Sequence, residues 1–210
     1  QVFGNMNFLD GIVDTNQDLM LSFKDGATTS NGSYYSHING PALKSGANDF
    51  VFPLGKEGDY RPAAISALTD SGTYLMEYFH FPYFWYTQEF EVLKVNEEGF
   101  WDLQRVNGVS YPKLTITYDE ATNMFTNTSD LEIVYWDDLW KIVPSDSVDF
   151  PPLIGLTTQN RIADYGYFTT AQRRSIIPYV TTMNLSQNDC AITIEWVMPP
   201  GTLVANYEIE

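Results

Sequence analysis

A chain of 210 residues with 27 acidic and 11 basic side chains carries a formal charge of -16. Such a surface repels phosphate backbones and anionic lipid, which excludes nucleic acid as a partner and disfavours anionic membranes. Hydrophobic residues reach 44% and aromatics 15%, with 14 Tyr, 13 Phe and 5 Trp, which excludes a disordered chain and favours strands over helices.

In chain order, the first polar interruption is Asp14-Thr15-Asn16-Gln17-Asp18. It reads as a hairpin turn between Ile12-Val13 and Leu19-Met20. It also matches the first half of a calcium loop, D-x-N-x-D, in which alternate oxygens on a tight loop suit a hard cation. The glycine and the distant Glu of an EF-hand are absent. Asp14, Asn16 and Asp18 are the candidate calcium ligands, and calcium is the one cofactor the sequence suggests.

Asn31-Gly32, Asn39-Gly40 and Asn107-Gly108 are turn dipeptides, since both residue types tolerate positive φ. Phe50-Val51-Phe52-Pro53-Leu54-Gly55 reads as an apolar strand closed by a Pro-Gly turn, and Tyr60-Arg61-Pro62 as the start of the next strand. Arg61 is expected to meet a carboxylate. The stretch from Thr73 to Phe81 is apolar on both faces and reads as a central strand covered on both sides.

His80 to Tyr86 holds five aromatics in seven residues, beside a proline and a histidine. Exposed rings of this kind stack on sugars or hold a protein partner, and Tyr83, Trp85 and Tyr86 form the candidate ligand platform. The competing reading is that the rings cap one end of the fold as core. Leu114, Ile116 and Tyr118 alternate with threonines, and Ile192, Ile194 and Trp196 alternate with Thr193 and Glu195. A period of two places one row of side chains in a core and the other in solvent. Asp137-Asp138 reads as a solvated turn.

No window shows apolar residues at helical spacing, and turn signals recur every roughly 8–12 residues. The predicted fold is therefore an all-β, antiparallel β-sandwich, of jelly-roll or Ig-like type. The single cysteine, Cys190, permits no intrachain disulfide, so the fold depends on its core. No run approaches the about 20 apolar residues of a membrane-spanning helix, and none of the chemistry-bearing motifs of hydrolases, zinc proteases or phosphate loops appears. The sequence predicts no enzyme. Paired carboxylates of a glycoside hydrolase remain the one catalytic alternative, and their separation is not legible in sequence.

Several fragments, taken in order, resemble a module of long secreted surface proteins of the Bacteroidetes, the type IX secretion and gliding-motility group. Gly40 to Gly46, Phe50 to Gly55 and Tyr60 to Pro62 carry the most specific part. Asn5 to Val13, Leu19 to Phe23, Gly99 to Leu103, Asp130 to Trp136 with Leu139-Trp140, and Asp164 to Thr169 follow the same pattern. The resemblance implies a β-sandwich module over 1–172. Residues 173–210 then resemble a linker and the first strands of a fibronectin-like module. It further implies a secreted, cell-surface location and a chain that is a mature or internal fragment, since no signal peptide is visible at Gln1.

Two or three strands alone leave an edge unpaired. A longer parent chain, packing onto the main domain, or strand addition by a neighbouring subunit would each complete them. The expected role is that of a non-catalytic spacer, adhesin segment or filament subunit, with a carbohydrate-binding domain as the alternative. Expected partners are neighbouring modules or subunits, and glycans. Asp146-Ser147-Val148 resembles the short O-glycosylation motif of the same bacteria and predicts sugar on Ser147.

Overall fold

A computed structural model of the chain describes residues 1–84, 86–119, 125, 128–174, 182–188 and 191–197. The chain divides into two compact units, Gln1–Arg174 and Ser175–Glu210. Among the described residues the only helical element is a single 3₁₀ turn, Thr128–Asp130.

The first unit is an all-β sandwich. Its two large sheets use strands β1 (Leu21–Phe23), β2 (Ala42–Gly46), β3 (Phe50–Phe52), β4 (Ala63–Ser66), β5 (Gly72–Phe79), β6 (Val92–Val95) and β7 (Phe100–Asn107). They continue with β8 (Lys113–Tyr118), β9 (Leu131–Asp137), β10 (Leu139–Val143), β11 (Ser145–Phe150), β12 (Leu153–Thr158) and β13 (Gly166–Arg173). The smaller sheet runs β11-β12-β8-β4-β3, and the larger runs β10-β9-β13-β7-β5-β2-β1, with β6 also paired to β13.

The core between them follows the period-two pattern, except on β8, where Thr115 and Thr117, expected in solvent, are buried along with Leu114, Ile116 and Tyr118. On β5, Tyr74, Met76 and Tyr78 point inward and are buried, meeting Trp101 and Leu103 of β7, Ile116 of β8, and Phe50 and Phe52 of β3. Burying rings of this size is the main term that holds the two sheets together. Leu75, Glu77 and Phe79 take the opposite face. The expectation of a strand covered on both sides is met on the core side only; on the other side Phe81 of the aromatic run reaches Phe79, while Leu75 and Glu77 stay partly exposed on a groove floor.

The larger sheet is mixed. Its edge strand β1 runs parallel to β2, while Val13–Asp14 runs parallel to Ile38–Asn39. The segment Asp14 to Asp18 does turn, with Asn16 and Leu19 exchanging backbone hydrogen bonds at 3.2 Å, but its flanks do not pair with each other as the hairpin reading expected. The strands on either side of it go to different partners, and the loop is closed locally, with Asn16 Oδ1 accepting from the amides of Asp18 and Leu19, each at 2.9 Å.

Strands β6 and β7 lie on the same side of β13, which they pair at Ala171–Arg173 and Gly166–Phe168. The residues between them loop out of the ladder. Asn96 still donates its amide to the Thr170 carbonyl at 2.9 Å, and its side chain accepts the Glu98 amide at 2.9 Å. The interruption swings Glu98 toward Arg61. Gly99 closes it, because a Cβ there would fall against the Phe79 carbonyl and the Tyr78 hydroxyl.

In the second unit, Thr182–Asn188 pairs antiparallel with Ala191–Val197, register Asn188 to Ala191. Cys190 and the stretch from Tyr207 to Glu210 lie outside the described residues.

Candidate functional site

The outward face of β5 and β7 forms the floor of a groove of about 730 Å³. Antiparallel register sets three cross-strand pairs along it: Leu75 opposite Gln104, Glu77 opposite Asp102, and Phe79 opposite Phe100. The last pair is stacked, with ring centroids 4.9 Å apart and planes 16° from parallel. Tyr167 of β13 borders the floor on one flank, and Met20, Pro41 and Gln17 border it on the other.

The aromatic run closes one end. Tyr83 turns onto the sheet and touches Phe100, Trp136, Trp140 and Tyr167, with centroids between 4.9 and 5.4 Å. It belongs to a second small core on the outer face, built on Val92, Val134, Trp140 and Ala171. Phe81 packs edge-on against Phe100 at 5.5 Å, and lies tilted against Phe84 at 5.8 Å. Phe84 and Tyr86 stay open, 74% and 70% exposed. The two competing readings of this run are thus divided by residue: Tyr83 caps as core, while Phe84 and Tyr86 present rings to solvent. Trp85 lies outside the described residues. On the far side of Tyr83 is a smaller cavity of about 210 Å³, lined by Tyr86, Lys94 and Trp140 among others.

Burial raises the pKa of the Glu77 carboxyl; nearby Lys56 opposes that shift and Asp102 adds to it. Burial also raises Asp102, against the pull of a hydrogen bond from Gln104 Nε2 at 2.7 Å. Both carboxyls therefore sit above the ordinary range for the same reason, desolvation of the charged form. Among the described residues neither is in an ion pair. The nearest cation of electrostatic weight, Lys56, holds its ammonium 6.0 Å over the Phe79 ring.

A second charged cluster is centred on Arg61. Its guanidinium is buried, with Nη2 3.3 Å from Asp59 Oδ2 and 3.7 Å from Glu98 Oε2. Asp59 also faces His80 Nδ1 at 3.6 Å. Arg61 Nη1 donates to the Tyr60 carbonyl at 3.2 Å, and the Arg61 carbonyl accepts Trp101 Nε1 at 3.1 Å. Arg61 meets carboxylates as the sequence predicts. Burial still outweighs its attraction at Glu98, whose pKa is raised; burial alone pushes the Tyr60 hydroxyl up to about 12. His37 is buried and donates from Nδ1 to the Ser33 carbonyl at 3.0 Å. These groups tie loops to the core, and their polar atoms face one another.

The predicted calcium ligands are exposed on their loop. Asp14 Oδ1 accepts from Asn39 Nδ2 at 2.8 Å, and Asn16 Oδ1 is occupied by its own loop. Among the described residues no group of three or more His, Cys, Asp or Glu stands close enough together to hold a metal. Gln17 of this loop reaches the groove wall, so the calcium-loop segment and the aromatic run border one groove. Ser147 is exposed on edge strand β11. Sequence reading missed Glu77, Asp102, Gln104, Phe79, Phe100 and Tyr167. Their alternation was visible in the sequence, but the register that pairs Glu77 with Asp102 was not.

In comparisons with known proteins, no family model, no curated protein and no solved structure matches this chain.

Proposed function

We propose that this chain is a non-catalytic recognition module of a larger secreted surface protein, and that it binds carbohydrate in the groove on the outer face of the large sheet. The observation that carries the reading is the groove floor. A stacked phenylalanine pair lies one residue-pair step from two carboxyls and a side-chain amide. A sugar ring offers an apolar face and an edge of hydroxyls, and that floor offers a partner for each. Exposed Phe84 extends the apolar surface at the groove's end, and exposed Tyr86 lines the neighbouring cavity beyond Tyr83.

Support for a cell-surface location comes from the resemblance of the Gly40 to Pro62 string to type IX-exported modules, and from the acidic surface. An O-linked sugar on exposed Ser147 belongs to the same reading.

A glycan array probed with the wild type and with a Phe84→Ala, Tyr86→Ala double variant tests it. The wild type is expected to retain a defined set of glycans and the variant to lose most of that signal. Equal and negligible signal from both proteins would sink the reading.

A further inference from the structure

We infer that the groove selects sugars that carry a free amine, with Glu77 and Asp102 as the residues that set this specificity. The inference rests on the carbohydrate reading above and narrows it.

Like charges directly opposite on adjacent strands destabilise a sheet. Glu77 and Asp102 hold that arrangement in a half-buried setting, and the protein supplies one close donor, the Gln104 amide at 2.7 Å from Asp102 Oδ2. Among the described residues no cation pairs with either carboxyl. A ligand ammonium placed between them removes the repulsion and gains a charge-assisted hydrogen bond from each side. The Lys56 ammonium, 6.0 Å over the Phe79 ring, shows that a cation is held against this aromatic floor. The formal charge of -16 raises the local concentration of any cation near the groove.

The chemistry of the walls favours an organic cation over a metal ion. Calcium takes about six to eight oxygens, whereas this floor offers two carboxyls flanked by aromatic carbon. A groove of about 730 Å³ with a flat stacked pair beside the charged pair fits a short run of pyranose rings bearing amines. An acidic glycan would bring a third negative charge to the same place and is rejected.

The test is calorimetric titration with short β-linked glucosamine oligomers, their N-acetylated counterparts, neutral glucose oligomers and an oligolysine peptide. Wild type, Glu77→Gln, Asp102→Asn and a control, Asp138→Asn on the exposed β9–β10 turn, are compared. The glucosamine oligomer is expected to bind about tenfold tighter than the N-acetylated one. Glu77→Gln and Asp102→Asn should each erase most of that preference, and Asp138→Asn should leave it intact. Oligomers that bind with no preference for the free amine, or a preference that survives Glu77→Gln and Asp102→Asn, overturn the amine specificity and leave the carbohydrate reading standing. No binding of any oligosaccharide overturns both. Oligolysine binding as tight as glucosamine, weakened equally by Asp138→Asn, shows bulk charge attraction and overturns the inference. The comparison of free with acetylated amine needs no variant, so misfolding of a mutant does not blunt it.

Discussion

Glu77 on β5 and Asp102 on β7 are direct cross-strand partners, and burial holds both carboxyls above their ordinary pKa. Two ionised carboxylates in register cost the sheet stability, and they persist at the floor of a groove beside a stacked ring pair.

The first prediction concerns pH. The unshifted values are 4.5 for Glu77 and 3.8 for Asp102, and both are raised in the folded state. The folded chain thus binds these protons more tightly than the unfolded chain. Stability contributed by protonation is fully present below the unshifted values and is lost as pH rises through the raised ones. Glu77→Gln and Asp102→Asn are each expected to raise stability at neutral pH by about 0.5 kcal/mol, and the gain should vanish in acid. Urea unfolding at both pH values measures this. Destabilisation by both variants at neutral pH would contradict it.

Arg61 supplies the second. Its guanidinium sits between Asp59 and Glu98, and its carbonyl holds the Trp101 indole. Arg61→Met leaves two partly buried carboxylates facing each other and should cost about 3 kcal/mol. Arg61→Lys keeps the charge but loses the fork that serves both acids and the Tyr60 carbonyl, and should cost about half as much. Denaturant midpoints rank the three proteins. Equal stability of Arg61→Met and wild type would mean that the cluster does not brace the loops.

The sequence showed the sandwich because its signals are local. Alternation at Leu114, Ile116 and Tyr118, and the strand-then-turn at Phe50 to Gly55, depend on neighbours a few residues away. The groove depends on register between strands about 25 residues apart, and no local pattern encodes that Glu77 meets Asp102. The run from His80 to Tyr86 was visible as composition. That Tyr83 turns inward while Phe84 and Tyr86 stay outside follows from Trp136, Trp140 and Tyr167, which reach Tyr83 from β9, β10 and β13. The parallel pairing of Val13–Asp14 with Ile38–Asn39 was hidden for the same reason, since a polar loop between apolar dipeptides looks alike whether its flanks pair together or apart.

Gly55 gives a third prediction. A Cβ at this position would fall against the Asp59 carbonyl oxygen and the His37 imidazole. Both neighbours are fixed: Asp59 lies in the two-strand ribbon that pairs Gly55 with Tyr60, and His37 is buried and hydrogen-bonded to Ser33. Gly55→Ala should therefore cost about 2 kcal/mol through forced displacement, whereas Gly58→Ala, with nothing within 4 Å, meets only its own positive φ of 87° and should cost about 1 kcal/mol. Thermal unfolding of both variants compares steric and conformational costs in one turn.

The last prediction separates packing from recognition within the aromatic run. Tyr83 touches four rings of the outer-face core, and its hydroxyl pKa is raised by burial. Tyr83→Ala empties the centre of that small core and should cost about 2–3 kcal/mol. Phe84→Ala and Tyr86→Ala remove rings that are mostly in solvent and should change stability by less than about 0.5 kcal/mol. If these exposed rings serve a ligand, each single variant still weakens glycan binding by roughly fivefold, because a stacked ring contributes about 1 kcal/mol beyond its area. Stability and binding must therefore part company at Phe84 and Tyr86 and fall together at Tyr83. Should Tyr86→Ala destabilise the fold as much as Tyr83→Ala does, the whole run is core, and the recognition surface must be sought on the Glu77–Asp102 floor alone.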